Sequence, residues 1–280
     1  VHALTPLHPG TGRGVGVIDL PVAREVATGI PYLPGSSFKG VLRDHCQEKA
    51  TKHCTNLFGP DTVNASDHAG AVQFSDQRLL LMPVRSLAGT FAWVTSPFIL
   101  RRFAREHKGV GLGDCPALPS ITAEQSGVVT SETKLVVRNG RIVLEDLELQ
   151  KDRNQPADVW AETLGKLIFP NDAEWQTFFQ ERLCIVHDDI LNFLLETATE
   201  LIARIKMDDN SKTVQRDGLW YEEALPAETI LSGIIAAQKI GANKLEPTKA
   251  LQIVADLTTD TLQFGGSATI GRGLCRLTVS

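Results

Sequence analysis

The chain has 280 residues, 42% of them hydrophobic, which suits one large domain with a well-filled core. No apolar run reaches the roughly 18 residues that a bilayer span requires. A net charge of −5 excludes a uniformly basic nucleic-acid surface but not a divided one: six bases face one acid between Gln77 and Lys108, and thirteen acids face four bases between Ile142 and Glu200.

Val1 to Leu7 is predicted as a strand, from which His8 leads into a loop with five glycines between Gly10 and Gly29. Asp19 lies in that loop beside Ile18 and Leu20. It is either a turn-former bonding its own backbone or a placed functional carboxylate. Pro34-Gly35-Ser36-Ser37 then opens a helix predicted to about Thr51, with Ser36 or Ser37 as its N-cap. Lys39 and Arg43 lie four apart on one face, and Phe38, Val41 and Leu42 point to a core. A helix start offers unpaired N–H groups, and two cations beside it suit a phosphate-sugar backbone. The order of a P-loop is absent. The competing reading is a helix that simply shows Lys39 to water.

Five cysteines (46, 54, 115, 184 and 275) without a Cys-x-x-Cys pair, and no charged-then-apolar leader, give the expectation of reduced thiols in a cytoplasmic protein. His45, Cys46, His53 and Cys54 invite a zinc reading, but their spacing fits no standard finger.

Ala71 to Arg85 is predicted as a strand, alternating and then continuously apolar. Thr95-Ser96-Pro97 starts a helix carrying Arg101, Arg102 and Arg105. This order of elements predicts an α+β sandwich of the RRM or ferredoxin kind. After a Gly- and Pro-rich connection, short strands flank Asn139-Gly140. Two acidic helices follow, Asp158 to Leu167 and Asp172 to Leu183, so that about 109–200 reads as a surface-packed insertion. Residues 200–226 are predicted as a hairpin around Asp208-Asp209-Asn210-Ser211, with Arg204, Lys206, Lys212 and Arg216 on its arms. With Met207 near its tip, that hairpin could wedge between bases or act as a flap. Tyr221, Glu222 and Glu223 lie in its second arm. Ile230 to Ile240 and Thr248 to Thr258 read as small helices or loops. The C-terminal run places Gly265, Gly266, Gly271 and Gly273 around Thr269 and Arg272. It follows no strand-to-helix path, so it fits contact with a nucleic-acid backbone better than a dinucleotide fingerprint.

TPLHPGTG, IDLPVARE, TGIPYLPGSSFKGVLRD, LFGP, PVRSLAGTFAWVTSP, LWYEEALP and FGGSATIGRGLCRL occur together and in this order. In this the chain resembles the RAMP superfamily, and most closely the repeated backbone subunits of type III-B (Cmr) CRISPR effector complexes rather than their type III-A counterparts. The resemblance implies one RRM-like palm over 1–280 with inserted fingers and a thumb at 200–226. It further implies copies stacked helically along a CRISPR guide RNA, each covering about six nucleotides, together with complementary target RNA and other subunits of the complex, and no membrane. In the family, target RNA is cut by its own 2′-hydroxyl, with a loop aspartate and a divalent metal (Mg or Mn) required. Asp19 stands at that position, as base or metal ligand. His8 matches a histidine after the first strand, and Glu222 lies in the Glu-Glu segment. Ala224 replaces an aromatic found in some members, which leaves Tyr221 as the neighbouring candidate. The implied RNA contacts are Ser36, Ser37, Lys39, Arg43, Arg204, Met207 and the C-terminal glycine loop. Two other readings share these motifs: a structural filament subunit that never cuts, and a free-standing guide-processing nuclease.

Overall fold

The computed structural model describes all residues except 13, 15–16, 50–51, 61–67, 122–124, 154, 209–212 and 240–244, and only the backbone of 153, 155–156 and 216–217. Eleven of the described strands form the main sheet. Ten run in the order β14 (Leu262–Gln263), β15 (Leu274–Arg276), β1 (His2–Ala3), β12 (Ile230–Ser232), β4 (Gln77–Arg85), β5 (Phe91–Thr95), β9 (Leu183–Val186), β6 (Ser126–Val129), β8 (Leu147–Arg153) and β7 (Arg141–Leu144); β2 (Tyr32–Leu33) also pairs with β4. The pairings are antiparallel except β5 with β9 and β6 with β8. The α+β class expected from the sequence holds. β4 is buried from Leu79 to Val84, as its continuous apolar run demands of a strand covered on both faces.

α1 (Gly35–Glu48) packs through Phe38, Leu42 and Cys46, spaced four apart on one face. It begins after Pro34, and neither Ser36 nor Ser37 caps it by a side-chain hydrogen bond. Instead the Gly35 N–H donates to Asp76 Oδ1 at 2.8 Å. An added Cβ on Gly35 would lie 2.6 Å from the Phe74 carbonyl oxygen, so only glycine lets the helix start so close to β3 (Val72–Phe74).

The segment 109–200 contributes strands to the main sheet. β9 lies between β5 and β6, all four of its residues are buried, and so apolar a strand is satisfied only inside a sheet. The helices before it, α4 (Gln155–Ile168) and α5 (Ala173–Gln180), bring Trp160, Leu164 and Phe179 into the same core as Trp93. Ile230 to Ile240, read as small helices or loops, supplies β12 and β13 (Ile235–Ala237), the latter pairing with β3. Thr248 to Thr258 is covered by the helix α7 (Pro247–Leu257).

Cys46 and Cys54 form a disulfide between α1 and α2 (Cys54–Phe58), with Cα atoms 5.8 Å apart. This overturns the expectation of uniformly reduced thiols: folding brings the end of one helix against the start of the next. It also withdraws both cysteines from any zinc site, and no group of three metal-binding side chains occurs among the described residues. Burial pushes the Cys184 and Cys275 thiols up to about 12, so both are inert.

The hairpin at 200–226 is present as β10 (Glu200–Met207) against β11 (Val214–Ala224), a separate two-stranded sheet. Asp209, Asn210, Ser211 and Lys212 fall outside the described residues, as does the Arg216 side chain. On the body, Glu25 fixes the loop before β2. It accepts from Arg102 Nη1 at 2.8 Å and Nη2 at 2.6 Å on α3 (Pro97–Gly109), and it pairs with Arg78 Nε on β4 at 3.4 Å. The Arg102 hydrogen bonds hold the Glu25 carboxyl below its usual value, against the opposing effect of partial burial. A carboxyl depressed in the folded state contributes stability above its unfolded pKa and loses it as pH falls. Glu25→Gln is therefore expected to lower the melting temperature at pH 7 by roughly 2–4 °C, for a partly solvent-screened network. The difference from wild type should vanish in thermal scans below the ordinary carboxylate range.

Candidate nucleic-acid interface

Three distant stretches meet at the root of the hairpin. One edge of β11 pairs with β10; its opposite edge is covered by the N-terminal segment. Leu7 and Leu225 exchange backbone hydrogen bonds of 2.8 Å each. The Leu20 N–H donates to the Tyr221 carbonyl at 3.1 Å, and the Glu223 N–H to the Leu20 carbonyl at 3.0 Å, a parallel bridge of Leu20 with Glu222. Between these contacts the loop folds back on itself, with the Ala23 N–H donating to Pro9 O at 2.7 Å and the Gly14 N–H to Asp19 O at 2.8 Å. His8 and Asp19, at opposite ends of this loop, thus lie along one strand.

Asp19 is exposed, and its Oδ2 accepts the Tyr221 backbone N–H at 2.8 Å. Its Oδ1 has no partner among the described residues. One carboxylate oxygen is therefore held by the scaffold. The Tyr221 side chain is 42% exposed on the opposite face from Glu222.

His8 is 8% exposed, and its Nδ1 lies 2.6 Å from the Glu223 carbonyl oxygen, so Nδ1 carries a proton and donates it. The ring is flanked by glycines: an added Cβ would lie 2.5 Å from Nε2 at Gly10 and 3.0 Å from Cδ2 at Gly266. The ring is thus held between backbone segments, with Nδ1 committed to the Glu223 carbonyl. Glu222 is also enclosed, accepting from Trp220 Nε1 at 2.9 Å and pairing with Arg204 Nε at 3.3 Å. Burial pushes its carboxyl up, but the Trp220 bond and the Arg204 and Arg272 charges outweigh it and leave the carboxyl below its usual value. It is a charged partner of Arg204.

The C-terminal glycine loop closes on the same place. The Gly266 N–H donates to His8 O at 2.9 Å, and the Gly273 N–H to Pro6 O at 2.9 Å. Phe264 stacks on Phe38 of α1 with ring centroids 5.1 Å apart, which joins the loop to the Pro-Gly-Ser-Ser helix. Ser36, Ser37, Gly265, Thr269 and Gly271 are exposed around this junction, and Met207 is exposed on the hairpin. Lys39 is half-buried without an acidic partner among the described residues; burial and then Arg43 lower its ammonium from the ordinary value. Of the two arginines expected to contact phosphate, Arg43 is tied to protein carbonyls, and Arg272 is buried with its Nη1 lacking a hydrogen-bond partner among the described residues. Arg43 donates through Nη2 to the carbonyls of Phe58 at 2.6 Å and Gly59 at 3.3 Å, tying α1 to the end of α2. Arg272 is 9% exposed, beneath the loop rather than on it.

Sequence reading did not single out Glu223, which the structure brings into this cluster. It is 3% exposed, and its Oε2 accepts the Val22 N–H at 2.9 Å while its Oε1 accepts from Arg24 Nη2 at 2.5 Å. The signal was the pair itself, an acid beside Glu222 and an arginine five residues after Asp19, but nothing in their spacing says that the two meet.

A family model described as the RAMP superfamily matches residues 1–276. The chain is 34% identical over 286 residues to the CRISPR system Cmr endoribonuclease Cmr4 of Pyrococcus furiosus, covering 100% of this chain and 94% of that protein. It is 23% identical to the CRISPR system CMR subunit Cmr4 of Saccharolobus solfataricus, over 99% of this chain and 94% of that one. The crystal structure of oligomeric Cmr4 from Pyrococcus furiosus matches with a TM-score of 0.74 at 26% identity, covering 97% of this chain and 92% of the other. A chain in the cryo-EM structure of the Type III-B Cmr-beta bound to cognate target RNA shares the fold, with a TM-score of 0.73 at 20% identity over 99% and 94% of the two chains.

The glycines permit a direct test of the loop geometry. Gly265 and Gly271 both have positive φ, 75° and 79°, but an added Cβ meets nothing at Gly271 and overlaps the His8 carbonyl at Gly265. Gly271→Ala should cost about 1 kcal/mol, the left-handed strain alone. Gly265→Ala should cost at least twice that in urea unfolding, because it also separates the two loops.

Proposed function

The chain belongs to the RAMP superfamily, and from that premise we propose that it is a guide-RNA-binding backbone subunit of a type III-B (Cmr) CRISPR effector complex, and the subunit that cuts complementary target RNA. Its similarity along its full length to an endoribonuclease of such a complex carries the reading. Copies stack head to tail along the guide with other subunits of the complex, in the cytoplasm, and the cuts recur at about six-nucleotide intervals, one per copy. The main sheet with α1 and α3 is the palm, and the hairpin of β10 and β11 is the thumb.

In this reading the site lies at the hairpin root. The exposed turn carrying Gly265, Thr269 and Gly271, with Ser36, Ser37 and Lys39 beside it, forms the track for the phosphate backbone. Lys39 supplies a cation with no acidic partner among the described residues to neutralise it. The hairpin, with Met207 exposed, holds the target strand open over Asp19. Cleavage is internal transfer: the 2′-oxygen attacks the adjacent phosphorus, the bond to the 5′-oxygen breaks, and a cyclic phosphate and a 5′-hydroxyl result. The 2′-hydroxyl proton leaves to a base and the departing 5′-oxygen gains one. Asp19 stands at this linkage with its carboxylate oriented by the Tyr221 N–H. His8 and Glu222 hold the loop and strand that carry it.

A divalent metal fits here only as a shared ion. A lone carboxylate oxygen suits Mg²⁺ or Mn²⁺ whose other ligands are RNA phosphates and water, whereas no protein cage is present among the described residues. When bound by Asp19, such an ion supplies charge neutralisation at the reacting phosphate.

Asp19→Ala in the reconstituted complex should reduce cutting of complementary RNA by at least 10²-fold, measured as single-turnover rates, while guide retention and target binding stay unchanged. Loss of assembly in that variant would make Asp19 structural instead. Lys39→Ala should weaken guide binding for all sequences and reduce the slope of log K against log salt by about one per contact, read from binding titrations.

A further inference from the structure

We propose that Glu223, through its buried ion pair with Arg24, is the positioning residue for the Asp19 carboxylate; this rests on the reading of Asp19 as the group at the cleaved linkage. Glu223 touches the N-terminal segment at four places. Its N–H donates to Leu20 O at 3.0 Å, and its carbonyl accepts from His8 Nδ1 at 2.6 Å. Its Oε2 accepts from the Val22 N–H at 2.9 Å, and its Oε1 from Arg24 Nη2 at 2.5 Å. These contacts bracket Asp19 on both sides of its loop, and the fixed point two residues away on the same strand is the Tyr221 N–H that Asp19 accepts.

The side-chain contacts differ in kind from the backbone ones. Any residue but proline at 223 could give the N–H and the carbonyl, but only an acid accepts from the Val22 amide through one oxygen while meeting the Arg24 guanidinium with a negative charge on the other. A carboxylate 3% exposed is costly unless its charge is met, and the arginine that meets it is itself anchored. Arg24 also donates through Nη1 to Gly29 O at 3.0 Å and through Nη2 to Leu195 O at 2.9 Å, in the last turn of α6 (Asp188–Thr197), where the carbonyls favour a cation. The pair therefore ties the loop to the hairpin and to the body at one point. Without it the loop keeps its backbone bridges but loses the side-chain tie that fixes Val22 and Arg24, just beyond Asp19, against β11. A displacement near 1 Å is enough to slow an oriented reaction about 10²-fold.

The test uses the complete reconstituted complex with guide RNA. Glu223→Gln keeps the size of the side chain and an acceptor for Val22 but removes the charge opposite Arg24. The expected result is target cutting about 10–100-fold slower under single-turnover saturation, with target Kd and complex mass unchanged. The double variant Glu223→Gln/Arg24→Gln should be no slower than the single one, since both break the same pair. If Glu223→Gln fails to assemble, the double variant, which buries no unpaired charge, decides by the same criterion. Cutting at the wild-type rate, or a rate that falls only in step with target affinity, would overturn the proposal. Wild-type and Asp19→Asn complexes run alongside separate the two readings: if wild type does not cut, or Asp19→Asn does, the assignment of Asp19 fails first, whereas Asp19-dependent cutting that is indifferent to Glu223 overturns only the positioning role.

Discussion

A two-stranded hairpin has two outer edges, and each edge carries backbone N–H and C=O groups that need partners wherever water is excluded. In this protein the root of β11 satisfies its edge with Leu7 and Leu20, residues from either side of a glycine-rich loop. The placement of the other groups at the interface depends on that choice. It brings His8 against the Glu223 carbonyl, turns the Asp19 carboxylate onto the Tyr221 N–H, and leaves the Pro6 and His8 carbonyls to receive the C-terminal glycine loop. The hairpin is a separate sheet in its pairing, yet its root is built into the body through these bonds.

The glycines are needed for the same reason. A loop that must lie against a histidine ring on one side and a second loop on the other has no room for side chains. Gly10, Gly265 and Gly266 all stand where a Cβ would press on His8. Their purpose reads from sequence as phosphate approach, and from structure as the close packing of two loops around one imidazole. The two purposes are compatible, since backbone this tightly packed from below exposes bare backbone above, at Gly265 and Gly271.

Much of the fold was legible because periodicity and turn chemistry are local. The helix after Pro34, the Pro97 helix start, the hairpin at 200–226 and the continuous β4 each follow from residues close in sequence. The place of β9 was not legible. Its short apolar run after two acidic helices looks like the end of a surface segment, and only pairing with β5 and β6 shows it to be central. Within the site, Asp19, His8 and the glycine loops were singled out through motif and resemblance, and Lys39 and Arg43 through their spacing on one helical face, but none of these signals says what a side chain touches. Cations and imidazoles bond carbonyls as readily as phosphates, and Arg43 lies against Phe58 and Gly59 because α2 happens to end there. The Cys46–Cys54 disulfide and the Glu223–Arg24 pair are contacts between elements whose approach no spacing rule encodes.

The charge distribution closes the apparent conflict between an acidic chain and a polyanionic ligand. The acids nearest the interface are internally neutralised: Glu25 by Arg102 and Arg78, Glu106 by Arg78, Glu222 by Arg204, and Glu223 by Arg24. Each such pair is electrically quiet at the distance of a bound strand, so net charge overstates the repulsion an RNA would meet. Lys39 and Arg101 have no acidic partner among the described residues and keep their full attraction. Asp19 is the exception on the acidic side, exposed and held by a neutral N–H rather than a cation. An exposed carboxylate left uncompensated beside the proposed phosphate track is unfavourable for binding alone, and that cost is understandable if the group's use lies in what happens to the phosphate after it binds.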